Sequence, residues 1–349
     1  MTASSCTVPS KLTPKSHDAS ASSAKAKDAR ASSPIARVVL LPGIDTTMQA
    51  LLNAIDQMAI TADAHRVFHG RGGLYPGCEH WTMDWFSPVW VLTSFKAVSE
   101  EELALCHQAL AQRWETLEPG KPLNWVFQCR AQGEAQTRLM AGSVPEPHVV
   151  TEQGAKYLVH VMRGQNHGLF LDMANGREWL KRYAKHENIL NLFAYTCAFS
   201  VVALQGGAAQ VVNLDMSQGA LAVGQQNHRL NDLPAKARFL GHDIFKTWGK
   251  INKMGPYGVI VIDPPSYQKG SFIATKDYIK LIRRLPDLLE PQGHVLLCLN
   301  APELDTAFLH AQVAEAAPGL RFVERLANPA PFADIDPEKS LKVLHYQNA

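Results

Sequence analysis

From about residue 150 the chain alternates short β-branched and aliphatic runs with helix-length stretches, and no other feature restricts its fold as tightly. "KYLVHVM" (156–162), "NILNLF" (188–193), "QVVNLD" (210–215), "ARFLG" (237–241), "YGVIVID" (257–263) and "GHVLLCLN" (293–300) read as strands. Helical patterns occupy 169–185, 197–205, 217–230, 274–289 and 302–316. Strands alternating with helices argue for a parallel, doubly wound α/β sheet. "RFVERLA" and "SLKVLHYQ" supply the last strands.

The region before 150 is organised differently. Residues 1–34 are rich in Ser, Ala and Lys and nearly devoid of large apolar side chains, so they cannot offset the entropy of ordering and are expected to be disordered. Residues 35–147 read as a smaller α/β domain that could bind substrate, and 148–349 as the domain built on the alternating pattern. In the smaller domain "ARVVLLPG" (36–43), "VWVLTSF" (89–95) and "LNWVFQC" (123–129) are strand-like, and 46–60 and 99–117 helical. Between them "HRVFHGRGGLYPGCEHWTMDWF" (65–86) has glycines at 70, 72, 73 and 77. It is either a loop that touches substrate or a glycine-rich hairpin whose aromatics enter the core.

Composition excludes several classes. A hydrophobic content of 46% is ample for a globular core, and no window approaches the roughly 18 apolar residues of a membrane span. With no signal-peptide segment recognisable, a cytoplasmic location is expected. The cysteines at 6, 78, 106, 129, 197 and 298 follow no disulfide or zinc spacing, so reduced thiols and no metal are expected. The net charge of +2 is uneven. Over residues 1–37, Lys11, Lys15, Lys25, Lys27, Arg30 and Arg37 outnumber Asp18 and Asp28, which leaves the remainder slightly acidic. A nucleic-acid partner would need a local basic patch.

In an open parallel sheet, ligands bind beyond the carboxyl ends of the strands, so the residues that follow each strand carry the chemistry. The strand at 188–193 runs into "AYTCAFS", a turn of small residues opening a helix, suited to an anionic group. Asp215, with Met216 after it, lies at the spacing where an acid can accept both ribose hydroxyls, although a helix N-cap is the commoner use of such an acid. Asp243 is placed to take an adenine amino hydrogen. Asp263 is followed by Pro264 and Pro265, each with φ fixed and no N–H, then by Tyr267. That rigid turn suits a flat nitrogenous substrate, with Tyr267 stacking on it. A dinucleotide-binding domain would want Gly-x-Gly-x-x-Gly after the first strand, and "AYTCAFS" has no glycine.

"GQNHGLFLDMANGR" (164–177), "ILNLFAYTCAFSVVALQGGA" (189–208), "VVNLDMSQGAL" (211–221), "NHRLND" (227–232) and "VIDPPSY" (261–267) together resemble class I S-adenosylmethionine-dependent methyltransferases. The resemblance is nearer to the bacterial 23S ribosomal RNA methyltransferases of the large-subunit I and K/L type. It implies a Rossmann-like, seven-stranded sheet, S-adenosylmethionine as cofactor and ribosomal RNA as partner. By position, Phe193, Ala194, Tyr195, Thr196 and Cys197 would surround the methionine end, Asp215 and Met216 the ribose, and Asp243 the adenine. Asp172 and Arg177 would brace the cofactor cleft, and Asp263, Pro264, Pro265 and Tyr267 would hold the target base.

Three departures refine this expectation. The family turn usually reads Tyr-Thr-Gly-Gly, where this chain has Tyr195-Thr196-Cys197-Ala198, and His167 stands where the family has Thr. Members that methylate carbon-5 of cytosine use a cysteine just after the fifth strand, and here that position is Asn300. Cys298, two residues earlier, reads as a core thiol. Carbon-5 needs thiolate addition before it becomes nucleophilic, so the expected acceptor is a base nitrogen methylated by direct transfer; the resemblance to the K/L-type guanine methyltransferases, which have asparagine at this place, implies guanine. Two alternatives stay open: a methyltransferase of a protein amide or small molecule, and a non-catalytic RNA-binding or assembly factor with a degenerate site.

Overall fold

The computed structural model describes residues 48–349 apart from 132–135, 165, 266 and 269–271, and nothing of the side chains of Tyr267 and Gln268. The expected tail over 1–34 and the expected strand at 36–43 lie outside the described residues. Asp45–Ala349 form one compact unit.

Helix α1 (Gln49–Gln57) is followed by β1 (His65–His69), β2 (Trp81–Phe86), β3 (Val89–Ser94), helix α2 (Glu100–Leu117), β4 (Trp125–Cys129) and β5 (Gln136–Ala141). The five strands pair in chain order, with only β3 and β4 parallel. Helix α2 starts where it does because Ser99 and Glu102 form a reciprocal capping box. Its apolar face, Leu103, Cys106, Leu110 and Trp114, recurs at helical spacing and packs with Trp81, Trp85, Trp90 and Trp125. The 65–86 stretch is thus a glycine-rich hairpin with buried aromatics, and Gly70–Gly72 make a single 3-10 turn at its bend.

A second hairpin, β6 (His148–Glu152) and β7 (Ala155–Val159), turns on Gln153 and Gly154, both with positive φ. After a 3-10 turn at Leu171–Met173 come α3 (Ala174–Tyr183), β8 (Asn188–Leu192), α4 (Ala198–Gln205), β9 (Gln210–Asp215), α5 (Gln218–Leu230) and β10 (Ala237–Gly241). The chain continues with α6 (Trp248–Met254), β11 (Tyr257–Ile262) and the two-residue strands β12 (Tyr267–Gln268) and β13 (Phe272–Ile273). Then follow α7 (Ala274–Ile282), α8 (Leu285–Leu288), β14 (Leu289–Leu299), α9 (Thr306–Ala316), β15 (Leu320–Leu326) and β16 (Lys342–Asn348).

The large sheet has seven strands in the order β10-β9-β8-β11-β14-β16-β15. Six run in one direction, but β16 runs antiparallel to both its neighbours, β14 and β15, so the sheet is not parallel throughout. The stretch 156–162 belongs to the hairpin rather than to this sheet. Alternate residues of the central strands feed opposite cores: Leu190, Ile260 and Ile262 on one face, Ile189, Val259 and Val261 on the other. The helix expected over 274–289 breaks into two, with Pro286 in the first turn of α8, where its missing N–H is harmless. Strand order reverses between β8 and β11, which opens the crevice of a doubly wound sheet beside residues 193 and 263.

Candidate active site

The turn after β8 does without glycine. Phe193, Tyr195 and Cys197 all have positive φ, 58°, 46° and 61°, a region where a non-glycine residue loses roughly 1 kcal/mol or more. Neighbours hold the turn in place. Ala194 N–H donates to the Leu214 carbonyl, Thr196 Oγ1 to the Gly168 carbonyl, and Asn227 Nδ2 to the Thr196 carbonyl. Asn227 Oδ1 also accepts from Leu158 N–H, tying β7 to the turn. Behind it lies a buried chain in which Asn191 donates to Asn213, Asn213 to Ser200, and Ser200 bonds His228, whose second nitrogen faces the Gly224 carbonyl. Burial keeps His228 below its ordinary pKa, consistent with a neutral structural ring.

Cys197 is buried and its thiol pKa lies well above the ordinary value, first through burial and then through Asp215, so it is no thiolate. Gly224 makes room for it, since a Cβ there would sit 2.5 Å from Cys197 Sγ. Close packing has moved from the turn to the helix opposite.

Asp215 ends β9 half-buried, accepting from Tyr195 N–H at 2.8 Å and Ser217 N–H at 2.7 Å. It is not the N-cap of α5; Ser217 is, accepting from Ala220 N–H. Met216 beside it is 55% exposed, an apolar surface next to the carboxylate. Asp243 caps a 3-10 turn, accepting from Phe245 N–H at 2.9 Å, with Lys246 Nζ 3.3 Å away. Arg177 is fully engaged: its guanidinium forks onto Glu152 at 2.6 and 2.7 Å and donates to the Phe170 carbonyl. That ion pair fixes the approach segment carrying Asp172 and the exposed ring of Phe170, which lies 5.4 Å from the Tyr195 ring.

Asp263 follows β11 at the centre of the sheet. Its pKa is pushed up to about 7, mainly by burial, further by the charge of Asp172, with Arg177 opposing. Burial likewise raises Asp172. Pro264 is buried and Pro265 half-buried. The backbone of Tyr267 pairs with Ile273, but its side chain lies outside the described residues. Cys298 is fully buried in β14, with a thiol pKa raised well above the ordinary value by burial and then by Asp263. Asn300, just past the strand, is exposed and lines a cavity of about 580 Å³ together with Asp172 and Phe170.

The opposite wall of that cavity comes from the five-stranded sheet through Arg66, Arg71, Asp84 and Arg130. Sequence reasoning singled out none of these cations as ligands; the signal available was Arg71 amid the glycines. It also passed over Asn227 and His228 as supports, although their polar pair on one helix was visible. Among the described residues no His, Cys, Asp and Glu cluster could hold a metal, and no helix is long and apolar enough to cross a membrane.

The donor set fits S-adenosylmethionine. An anchored carboxylate with unused lone pairs suits vicinal hydroxyls, exposed Met216 suits a flat ring, and the strained turn presents backbone groups at a helix start.

The model of the S-adenosylmethionine-dependent methyltransferases matches residues 65–347. "Ribosomal RNA large subunit methyltransferase I" of Escherichia coli O139:H28 is 31% identical over 282 residues, which is 77% of this chain and 69% of that protein. The protein of the same name from Aeromonas salmonicida is 36% identical over 188 residues, 52% of this chain and 48% of that one, so this match spans about half of the relative. A Streptococcus mutans structure assigned as an S-adenosylmethionine-dependent methyltransferase superposes with a TM-score of 0.75 at 23% identity, covering 87% of this chain and 82% of that one.

Proposed function

This chain belongs to the S-adenosylmethionine-dependent methyltransferase family, and we propose that it methylates ribosomal RNA at a guanine base nitrogen, without a covalent cysteine step. The observation that carries the reading is Asp263: a carboxyl with pKa near 7, stiffened by Pro264 and Pro265, at the end of the strand paired with the one that Asn300 follows. The names of the relatives support RNA as substrate.

Bound S-adenosylmethionine supplies a methyl group activated by its sulfonium. Asp215 would hold the ribose with Met216 beside it, Phe193 to Cys197 would hold the amino-acid end, and Asp243 would face the adenine. Arg177 and Asp172 would brace the cleft, and Tyr267 would stack on the acceptor. A guanine nitrogen that bears hydrogen, N1 or the N2 amino group, must lose a proton when it gains a methyl group, whereas N7 would not. Ionised Asp263 is the group to receive it, since its pKa near 7 suits exchange with a nucleobase at neutral pH. The two prolines fix the carboxylate and the turn carbonyls, so alignment contributes much of the rate. Cys298, buried and protonated, has no part in this scheme.

The first test is calorimetric titration with S-adenosylmethionine, where wild type should bind and Asp215→Ala should not. Unmodified ribosomal RNA incubated with radiolabelled cofactor and digested to nucleosides should then yield methylated guanosine, with Cys298→Ala retaining most transfer. Recovery of 5-methylcytidine together with an inactive Cys298→Ala would overturn the mechanism.

A further inference from the structure

The cavity wall contributed by the five-stranded sheet carries more positive charge than the D-P-P turn uses. Arg66 is satisfied: it pairs with Asp84 and contacts His69. Arg130 is also engaged, its Nε donating to Gln128 Oε1, and it shares one further feature with Arg71. Both guanidinium groups lie over the ring of Phe95, at 4.1 and 5.6 Å from its centroid. Among the described residues no salt bridge joins Arg71 to a carboxylate, and Asp334, the other acid on this wall, accepts from Asp336 N–H. Lost hydration, then repulsion from Arg66, lowers the pKa of Arg71. Arg130 falls to about 10, chiefly through lost hydration, with Asp84 opposing and Arg66 and Arg71 adding repulsion.

A second observation points to the same place. His167 lines this cavity, is only 7% exposed, and among the described residues its Nε2 has no hydrogen-bond partner. Burial, assisted by Arg130, holds its pKa at about 4, so the orphan nitrogen belongs to a neutral ring at physiological pH. A buried polar atom without a partner is expensive, and like charges gathered on one ring repel; an anion with several acceptor oxygens relieves both.

We propose that Arg71 and Arg130, held flat against Phe95, form a phosphate-binding subsite that grips the backbone of single-stranded RNA, with His167 Nε2 completing it. Planar guanidinium forks match phosphodiester oxygens, and the ring fixes their plane in advance. The subsite rests on the RNA reading above and deepens it, because phosphate contacts set register while the D-P-P turn selects the base.

The test is fluorescence anisotropy of the full protein with a labelled single-stranded oligoribonucleotide of mixed sequence, across a salt series. Arg71→Gln and Arg130→Gln should each weaken binding about tenfold at low salt. Each should also flatten the log–log salt dependence by about 0.7, one phosphate's worth for a single strand. Arg71→Lys should keep the slope while losing part of the affinity. Lys253→Gln, an exposed cation beyond the opposite strand ends, should change nothing. S-adenosylmethionine binding, measured on every variant, reports an intact fold. Affinity and slope unchanged in both glutamine variants would overturn the subsite alone. Wild-type protein that binds S-adenosylmethionine yet ignores the RNA at low salt would overturn the RNA reading and the subsite with it.

Discussion

Replacing Asp263 by Asn should stabilise the fold while abolishing methyl transfer. The carboxyl's pKa stands at about 7 against an ordinary 3.8, so the native state holds this proton more tightly than the unfolded chain does. Below pH 4 the group is neutral in both states and costs nothing. As pH rises from about 4 to 7 the unfolded chain releases this proton while the native protein keeps it, which costs stability, and above 7, where both are ionised, the penalty is constant. At about 1.4 kcal/mol per pH unit the gap corresponds to a ceiling of about 4 kcal/mol. The carboxylate keeps some access to solvent, so roughly half, about 2 kcal/mol, is the expected gain at pH 8, falling below about 1 kcal/mol at pH 5. For about 300 folded residues this raises the melting temperature by about 3 °C at pH 8. Differential scanning calorimetry at both pH values, paired with a transfer assay, measures it. An Asn variant that melts at or below the wild-type temperature at pH 8 would refute the reasoning.

Gly224→Ala should push Cys197 out of its left-handed conformation, because the new Cβ lies 2.5 Å from Sγ, and weaken S-adenosylmethionine binding about tenfold or more. Adding Cys197→Gly should restore most of it, so calorimetric titration of the two single variants and the double variant would return a large coupling energy. Arg177→Gln strands Glu152, 5% exposed, and should cost about 3–5 kcal/mol in urea unfolding, whereas Arg138→Gln, in an exposed pair with Glu100, should leave the unfolding midpoint essentially unchanged.

The sequence made the sheet legible where burial is two-sided. "YGVIVI" carries no charged residue before Asp263 because β11 is covered on both faces, and its boundary agrees to one residue. Strand β5, "QTRLMA", has no such pattern, being a largely exposed edge strand, and it passed unseen. The direction of β16 follows from what lies between Leu326 and Lys342: only a 3-10 turn at Ala330–Phe332 and no α-helix intervenes, and a parallel neighbour would have needed a crossover helix. The acids at the strand ends were readable from topology alone. The cations across the cavity were not, because residues 71, 130 and 300 are brought together only when two sheets pack, a relation no local period encodes.

The hairpin bend of the smaller sheet is seated on the distal end of the larger one. Ile335 N–H donates to the Gly72 carbonyl, and a Cβ on Gly72 would sit 2.1 Å from the Ala333 carbonyl oxygen. Residues 333–335 belong to the connection between β15 and β16, so the two partners are separated by most of the chain. For anyone grafting one relative's acceptor specificity onto another, the transferable cassette is therefore discontinuous. Residues 65–86 must travel with 328–340, and a chimera cut at a single junction near 150 inherits a mismatched seam beside the cavity between the two sheets.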